Sequence, residues 1–208
     1  MAKKNAASQT AFIRDYLAGS ILTKVKVLET LVPSLEKAGL MLADSYAKGG
    51  QWLIFGNGGS AADAQHLAAE MVGRLYKVER RGLPAVALTT DGSALTCVGN
   101  DYGYGQLFSR QVEALGRKGD VALGISTSGN SPNVIKGLEQ AKKKGCVTLA
   151  FSGKGGGPLA NSKAVDLCLT VPSNFTPHVQ ESQIAMGHIL CFIVERELLR
   201  RKVVKARK

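Results

Sequence analysis

Trp52-Leu53-Ile54-Phe55-Gly56-Asn57-Gly58-Gly59-Ser60 is the stretch on which the fold turns. Its first four residues are apolar and bounded by a turn, as in a strand buried on both faces. Asn57-Gly58-Gly59-Ser60 reads as that turn, with Ser60 as the N-cap of a helix from Ala61 to about Val72. A glycine-rich turn that opens a helix offers free backbone N–H groups and the positive end of the helix dipole, so it is a natural seat for a phosphate. The helix then carries His66 and Glu70, four residues apart on one face. An anion seat with a His/Glu pair further along the same helix points to a phosphorylated substrate held beside a proton-transfer or metal site.

Downstream of this stretch the pattern alternates. A polar loop at Arg80-Arg81-Gly82 precedes a strand over 84–88. A short helix is expected over 91–98, a loop over 100–105 and a helix over 106–115. A strand over 120–125 leads through the polar turn 126–130 into a helix over 132–144, where Pro132 suits the first helical position. Strands over 147–151 and 165–171, separated by a glycine-rich loop, precede a final helix from about His178 to Arg200. Short apolar strands alternating with helices predict an α/β fold, a five-stranded parallel sheet flanked by helices. Ligands of such sheets sit at the carboxyl ends of the strands, and both polar turns, 56–60 and 126–131, fall there. Upstream, helices are expected over 11–31 and 33–48, ended by Gly49-Gly50. They have no slot inside an α/β unit, so they are expected on the outside of the domain or against a partner subunit. The expected organisation is a disordered tail over 1–8, N-terminal helices over 9–50, one domain over 51–200 and a basic tail over 201–208.

The bulk properties agree with one globular unit. The 208 residues are 45% apolar, enough for a sizeable core. No run approaches the roughly 20 apolar residues of a membrane span, and Met1-Ala2-Lys3-Lys4-Asn5 does not open a signal peptide. A cytoplasmic protein without membrane partners is expected. Cys97, Cys146, Cys168 and Cys191 show no zinc-finger spacing and read as reduced core residues. The net charge of +11 raises the question of nucleic acid. Eight of the 27 basic residues lie in the two tails, and the other 19 face 16 acids, so the body is close to neutral. A solvated basic tail is expected rather than a nucleic-acid surface.

Three constellations carry chemistry. Ser126-Thr127-Ser128-Gly129-Asn130-Ser131 sets four hydroxyls and a glycine between a buried strand and a helix N-terminus. Such groups can bind phosphate without a fixed positive charge, although a serine-rich turn with an N-cap is also ordinary; the first glycine-rich turn at the same end of the sheet favours phosphate. The Lys-Ser/Thr pair of a P-loop is absent, and Gly56-Asn57-Gly58-Gly59 does not fit the dinucleotide fingerprint, so no nucleotide cofactor is expected. His66 and Glu70 can bind a divalent metal on one helix face, or Glu70 can act as a general base. The final helix carries Gln180, Glu181, Gln183 and His188 among Ile184, Met186, Ile189 and Leu190. Gln180 and His188 stand about 12 Å apart along a straight helix. They reach one small ligand or metal only if their side chains lean together or a second subunit supplies one of them; the second case would place the site near a subunit interface.

Taken together, Gly56–Ser60, Asp63-Ala64-Gln65-His66, Glu70, Gly73-Arg74, Val98-Gly99-Asn100-Asp101, Gly124–Ser131, Gln180-Glu181 and His188 resemble the phosphoheptose isomerases, a group within the sugar-isomerase (SIS) domain family. The resemblance covers about residues 40–200 in order. It implies a single SIS-type, flavodoxin-like domain with an N-terminal helical extension, acting on sedoheptulose 7-phosphate. It implies that Asn57, Gly58, Gly59, Ser60, Ser126, Thr127, Ser128 and Ser131 hold the sugar phosphate, and that Asn100, Asp101, Glu70 and Gln180 contact the substrate. His66, Glu70, Gln180 and His188 fall on the family's zinc positions, one Zn2+ per subunit, and Glu70 and His188 on its proton-transfer pair. A homotetramer with sites near subunit interfaces is implied. So is an enediol route to D-glycero-D-manno-heptose 7-phosphate, an early intermediate of ADP- or GDP-heptose and the lipopolysaccharide core. Two departures stand out: the loop 173–178 lacks the acid some members place before the Gln-Glu pair, and Gly92 stands where members usually carry a side chain. The alternatives are a non-catalytic SIS module that binds the bacterial replication initiator, or an isomerase of another phosphosugar. The relatives that bind the initiator lose the acid at Glu70 and the imidazole at His188, and this chain keeps both.

Overall fold

The computed structural model describes residues 8–205. Residues 1–7 and 206–208, which hold most of the tail expected at the start and the last of the basic tail, lie outside the described residues. Five short strands form one sheet: β1 (Trp52–Gly56), β2 (Ala85–Ala87), β3 (Val121–Ile125), β4 (Val147–Ser152) and β5 (Leu167–Thr170). All neighbours run parallel, in the order β2-β1-β3-β4-β5. Every residue of β1 and β3 is buried. That is why these strands read as unbroken apolar runs rather than alternating ones. From β1 the chain goes to β2 on one side and then to β3 on the other, so the strand order reverses between β1 and β3. A crevice opens at the carboxyl ends of two strands where such a reversal occurs.

Among the described residues, eight α-helices surround the sheet: α1 (Gln9–Thr30), α2 (Val32–Ala47), α3 (Gly59–Val72), α4 (Gly92–Tyr102), α5 (Leu107–Leu115), α6 (Pro132–Lys143), α7 (Gly157–Ala160) and α8 (Thr176–Arg200). Side chains alternate across each strand and give the sheet two cores. Trp52, Ile54, Leu123 and Phe151 pack with Leu42 of α2, Leu67 of α3 and Leu190 of α8. Leu53, Phe55 and Ala122 pack on the other face with Phe108 of α5 and Leu138 of α6. The Phe55 and Phe108 rings stack with centroids 5.1 Å apart. Each such fully buried side chain is worth about 1.5–3 kcal/mol relative to exposure, so both faces are firmly covered and the strand ends are rigid supports.

Several expectations are corrected. The helix expected over 33–48 does not lie outside the domain: Leu35, Ala38, Leu42 and Tyr46 of α2 belong to the larger core. Of the two N-terminal helices, α1 is the external one, with Phe12, Ile13, Leu17, Ile21 and Leu28 exposed. The loop expected over 100–105 begins later, because α4 continues through Asn100 and Asp101 to Tyr102 before Gly103 turns the chain at φ +82°. The N-cap of α3 is Gly58 rather than Ser60. Gly58 adopts φ +57°, where a side chain is strained, so the turn closes two residues earlier and Ser60 enters the first turn, buried. Arg80, read as part of a polar loop, has a fully buried side chain. At the other end, Arg201 pairs with Asp44 and Glu197 and Val204 is buried, so residues 201–205 fold back onto the body. Cys97 is exposed on α4, whereas Cys146 and Cys191 are buried as expected. Among the described residues, no helix is long and apolar enough to cross a membrane.

Candidate active site

Two turns at the carboxyl ends of β1 and β3 form one end of the site. After Gly56 the chain passes through Asn57 and Gly58 and enters α3 at Gly59. A side chain at Gly56 would lie 2.7 Å from the Ser60 Cβ and 2.8 Å from the Ile125 carbonyl oxygen, so only glycine lets the two turns approach this closely. The opening N–H groups of a helix lack intrahelical partners, which makes this end electropositive. In the second turn the Ser126 side chain is buried and its Oγ lies 2.9 Å from Ser131 Oγ. Ser128 Oγ accepts from the Asn130 N–H at 3.3 Å. Thr127 and Ser128 are half-buried. Gly129 is at φ +67°, and a Cβ there would overlap the Gly156 carbonyl oxygen, so the turn is seated against the glycine-rich loop after β4.

A reciprocal amide pair joins the turns. Asn57 Nδ2 donates to Asn133 Oδ1 at 2.9 Å, and Asn133 Nδ2 returns a bond to Asn57 Oδ1 at 2.8 Å. Tyr104 OH donates to the same Asn57 oxygen at 3.1 Å. A cavity of about 300 Å³ beside this junction is lined by Asn57, Gly58, Thr89, Thr96 and Tyr104. Sequence reasoning found Asn57 and missed Asn133 and Tyr104. Asn133 is a polar residue in the first turn of α6 that is buried in the fold, and Tyr104 is one of two tyrosines around Gly103, at the start of a short 3-10 turn. Neither spacing by itself points at Asn57.

Further along α3 and α8 lies the ionisable group. His66 Nε2 stands 2.8 Å from His188 Nε2 and 3.2 Å from Glu70 Oε1. One donor atom from each of His66, Glu70 and His188 lies within 4.8 Å of the other two. All three come from one chain, so a second subunit is not needed to bring His188 to His66. The helices meet this closely because Gly187 faces Leu67, and a Cβ at Gly187 would lie 2.5 Å from the Leu67 side chain. Two imidazole nitrogens and a carboxylate oxygen are the donor types a zinc ion takes, so these three residues fit such an ion. Asp63, one turn before His66 on α3, has its carboxyl pushed up to about 6, chiefly by burial and opposed by His66, and its Oδ2 is buried without a hydrogen-bond partner.

The remaining expected residues are placed differently. Gln180 lies against the opening of α3: a Cβ on Gly59 would sit 2.4 Å from its Nε2. It is therefore beside the glycine-rich turn, about 10 Å of helix before His66. Asn100 and Asp101 are exposed at the end of α4; Asn100 Nδ2 donates to Asp101 Oδ1 at 2.7 Å. Glu181, the neighbour of Gln180, anchors α1 instead: its carboxylate accepts from Tyr16 OH at 2.6 Å and from the Ser20 hydroxyl, with Lys24 at 3.4 Å. The Ser20 and Tyr16 bonds hold the Glu181 carboxyl below its usual range.

The SIS domain family matches residues 15–153. The chain is 52% identical over 190 residues to a phosphoheptose isomerase of Aliarcobacter butzleri, covering 91% of this chain and 98% of that protein. Its fold superposes on the solved phosphoheptose isomerase of Neisseria gonorrhoeae with a TM-score of 0.85 at 41% identity, covering 91% of this chain and 100% of that one. It superposes on the phosphoheptose isomerase of Francisella tularensis with a TM-score of 0.86 at 34% identity, covering 91% and 99%.

Proposed function

Because the chain belongs to the SIS-domain family and, within it, to the phosphoheptose isomerases, we infer that it interconverts sedoheptulose 7-phosphate and D-glycero-D-manno-heptose 7-phosphate. The observation that carries this reading is the gathering of His66, Glu70 and His188 within 4.8 Å, further along the helix that the glycine-rich turn opens. The phosphate belongs at the two turns, held by the backbone N–H groups of Asn57, Gly58 and Gly59, with Ser60 beside them, and by the hydroxyls of Ser126, Thr127, Ser128 and Ser131. Binding there fixes the distal end of the sugar, and the chain of carbons runs along α3 toward the ionisable group.

Moving the carbonyl from C2 to C1 requires a proton to leave C1 and one to arrive at C2 through an enediol. Glu70 takes the carbon-bound proton and returns it to the neighbouring carbon. His188 exchanges protons with the two oxygens, so the charge on each is neutralised as it forms. Positioned proton transfer of this kind contributes about 10²–10⁴-fold. His66, Glu70 and His188 are the residues that would hold Zn2+, and the ion would polarise the substrate oxygens as a Lewis acid; Gln180, expected as a fourth donor, stands beside Gly59 and is assigned to substrate contact. Asn100 and Asp101 are assigned to substrate contact, and their exposure in the single chain fits a site completed by a neighbouring subunit. The apolar residues left exposed along α1, with Ile189 and Phe192 of α8, support a homotetramer. A cytoplasmic enzyme that feeds heptose to lipopolysaccharide is the biological setting of this reading.

The deciding experiment follows the aldose product from sedoheptulose 7-phosphate. Wild-type turnover that Glu70→Gln removes, with fold and assembly intact, is the expected result. A well-folded wild-type protein without turnover would overturn the substrate assignment. Near-normal activity of Glu70→Gln would remove Glu70 from the mechanism.

A further inference from the structure

Arg80 lies in the segment between α3 and β2, yet its side chain is fully excluded from solvent. Among the described residues it forms the only ion pair with both side chains buried, Nε donating to Glu195 Oε2 of α8 at 3.0 Å. Nη2 donates to the Glu70 carbonyl at 3.1 Å, and Nη1 donates to the Met71 carbonyl at 3.0 Å and to Gly73 at 3.4 Å. The last carbonyls of a helix have no intrahelical partners, and a cation there also meets the negative end of the dipole. An ordinary C-cap would satisfy both needs from the surface. Arg80 does more, because one of the carbonyls it holds belongs to Glu70. The carboxylate it holds stands on α8 seven residues beyond His188, about two turns further along.

We propose that Arg80, braced by Glu195, is a positioning residue for the isomerisation. Its planar fork ties the end of α3 to α8 and sets the Glu70 carboxylate opposite His188. The proposal rests on the assignment of Glu70 and His188 as the proton-transfer pair. Lysine is a poor substitute, because a compact ammonium cannot reach one carboxylate and several carbonyls in one plane. The phosphate-binding turns lie at the opposite end of α3, so substrate capture is independent of this strap.

The test is the double variant Arg80→Met with Glu195→Met, which replaces the buried pair by apolar side chains of similar volume, an exchange that proteins often tolerate. Turnover of sedoheptulose 7-phosphate, thermal melting and assembly size are measured beside the wild type. A folded, normally assembled variant should lose about 10²-fold in kcat, the scale expected of a 1 Å misplacement, with KM within twofold. A kcat within twofold of wild type would overturn the proposal and leave Arg80 as a stabilising cap. Equal loss through KM would also overturn it, since that would place the effect on substrate capture. Should the double variant fail to fold, Arg80→Lys, which keeps the buried charge, is read by the same split between kcat and KM. A folded wild-type protein without turnover would instead overturn the activity on which the proposal rests.

Discussion

Replacing Gly187 with alanine should separate stability from turnover. The new Cβ would lie 2.5 Å from Leu67 Cδ2, 2.7 Å from Cδ1 and 3.1 Å from Cγ. Carbon atoms prefer about 3.5–4.0 Å, so the contact is short by roughly 1 Å. Leu67 is fully buried and cannot rotate into solvent, so α3 and α8 must move apart by a comparable distance. Overpacking of this kind costs about 1–3 kcal/mol, and replacing glycine in a helix returns up to about 1 kcal/mol. The net loss of about 0–3 kcal/mol leaves a marginally stable domain folded. Turnover responds differently, because His188 follows Gly187 directly and must meet Glu70 and His66 on the other helix. A 1 Å misplacement costs about 10²-fold, or about 2.7 kcal/mol in the barrier. The assay is aldose formation from sedoheptulose 7-phosphate beside thermal melting, and a large fall in kcat with a small fall in Tm is expected. Adding Leu67→Ala to Gly187→Ala should recover part of kcat by restoring room, though Leu67→Ala alone costs about 2–5 kcal/mol. A Gly187→Ala enzyme with wild-type kcat would refute the claim that this close crossing sets the geometry of the three ionisable residues.

Ser128→Ala should raise KM about 10-fold or more, since a hydrogen bond to a charged group is worth about 1.5–3 kcal/mol, while thermal stability changes little; an unchanged KM would argue against phosphate at that turn. Elemental analysis of protein purified without chelator should find about one zinc per chain, and chelation should lower activity that added zinc restores. Persistent absence of zinc, with no response to its addition, would leave His66 as a hydrogen-bonding residue. Asp63 titrates near 6 in the folded chain against 3.8 for the free side chain. Its contribution to stability is therefore complete below about pH 3.8 and is lost as the pH rises through about 6. In chelator-treated protein, Asp63→Asn should raise Tm at pH 7.5 and change it little at pH 4; equal shifts at the two pH values would contradict this assignment.

Much of the site was legible because its parts are local. A buried apolar run, a glycine-rich turn and a helix bearing His66 and Glu70 follow one another within about 20 residues, and each is dictated by short-range rules. The serine-rich turn after β3 is legible for the same reason. What was not legible depends on helix faces meeting across the fold. The burial of Asn133 against Asn57 follows from β1 and β3 being neighbours, which spacing along the chain does not encode. Arg80 looks like loop polarity until α8 is placed beside α3. The helix over 33–48 was expected outside because α/β alternation begins at β1, yet its apolar face fills the larger core beside α8.

The amino-acid order by itself determined the parallel α/β class, both hydroxyl- and glycine-rich turns and the pair four residues apart on α3, since strand burial and helix periodicity are properties of contiguous residues. Only the tertiary structure decided that His188 belongs with His66 and Glu70 in the same chain and that Gln180 sits beside Gly59. It also decided that Arg80 grips the end of α3. Those outcomes depend on the distance and rotation at which α3 and α8 pack, which Gly187, Leu67 and the buried Arg80–Glu195 pair set through close contact rather than through sequence proximity.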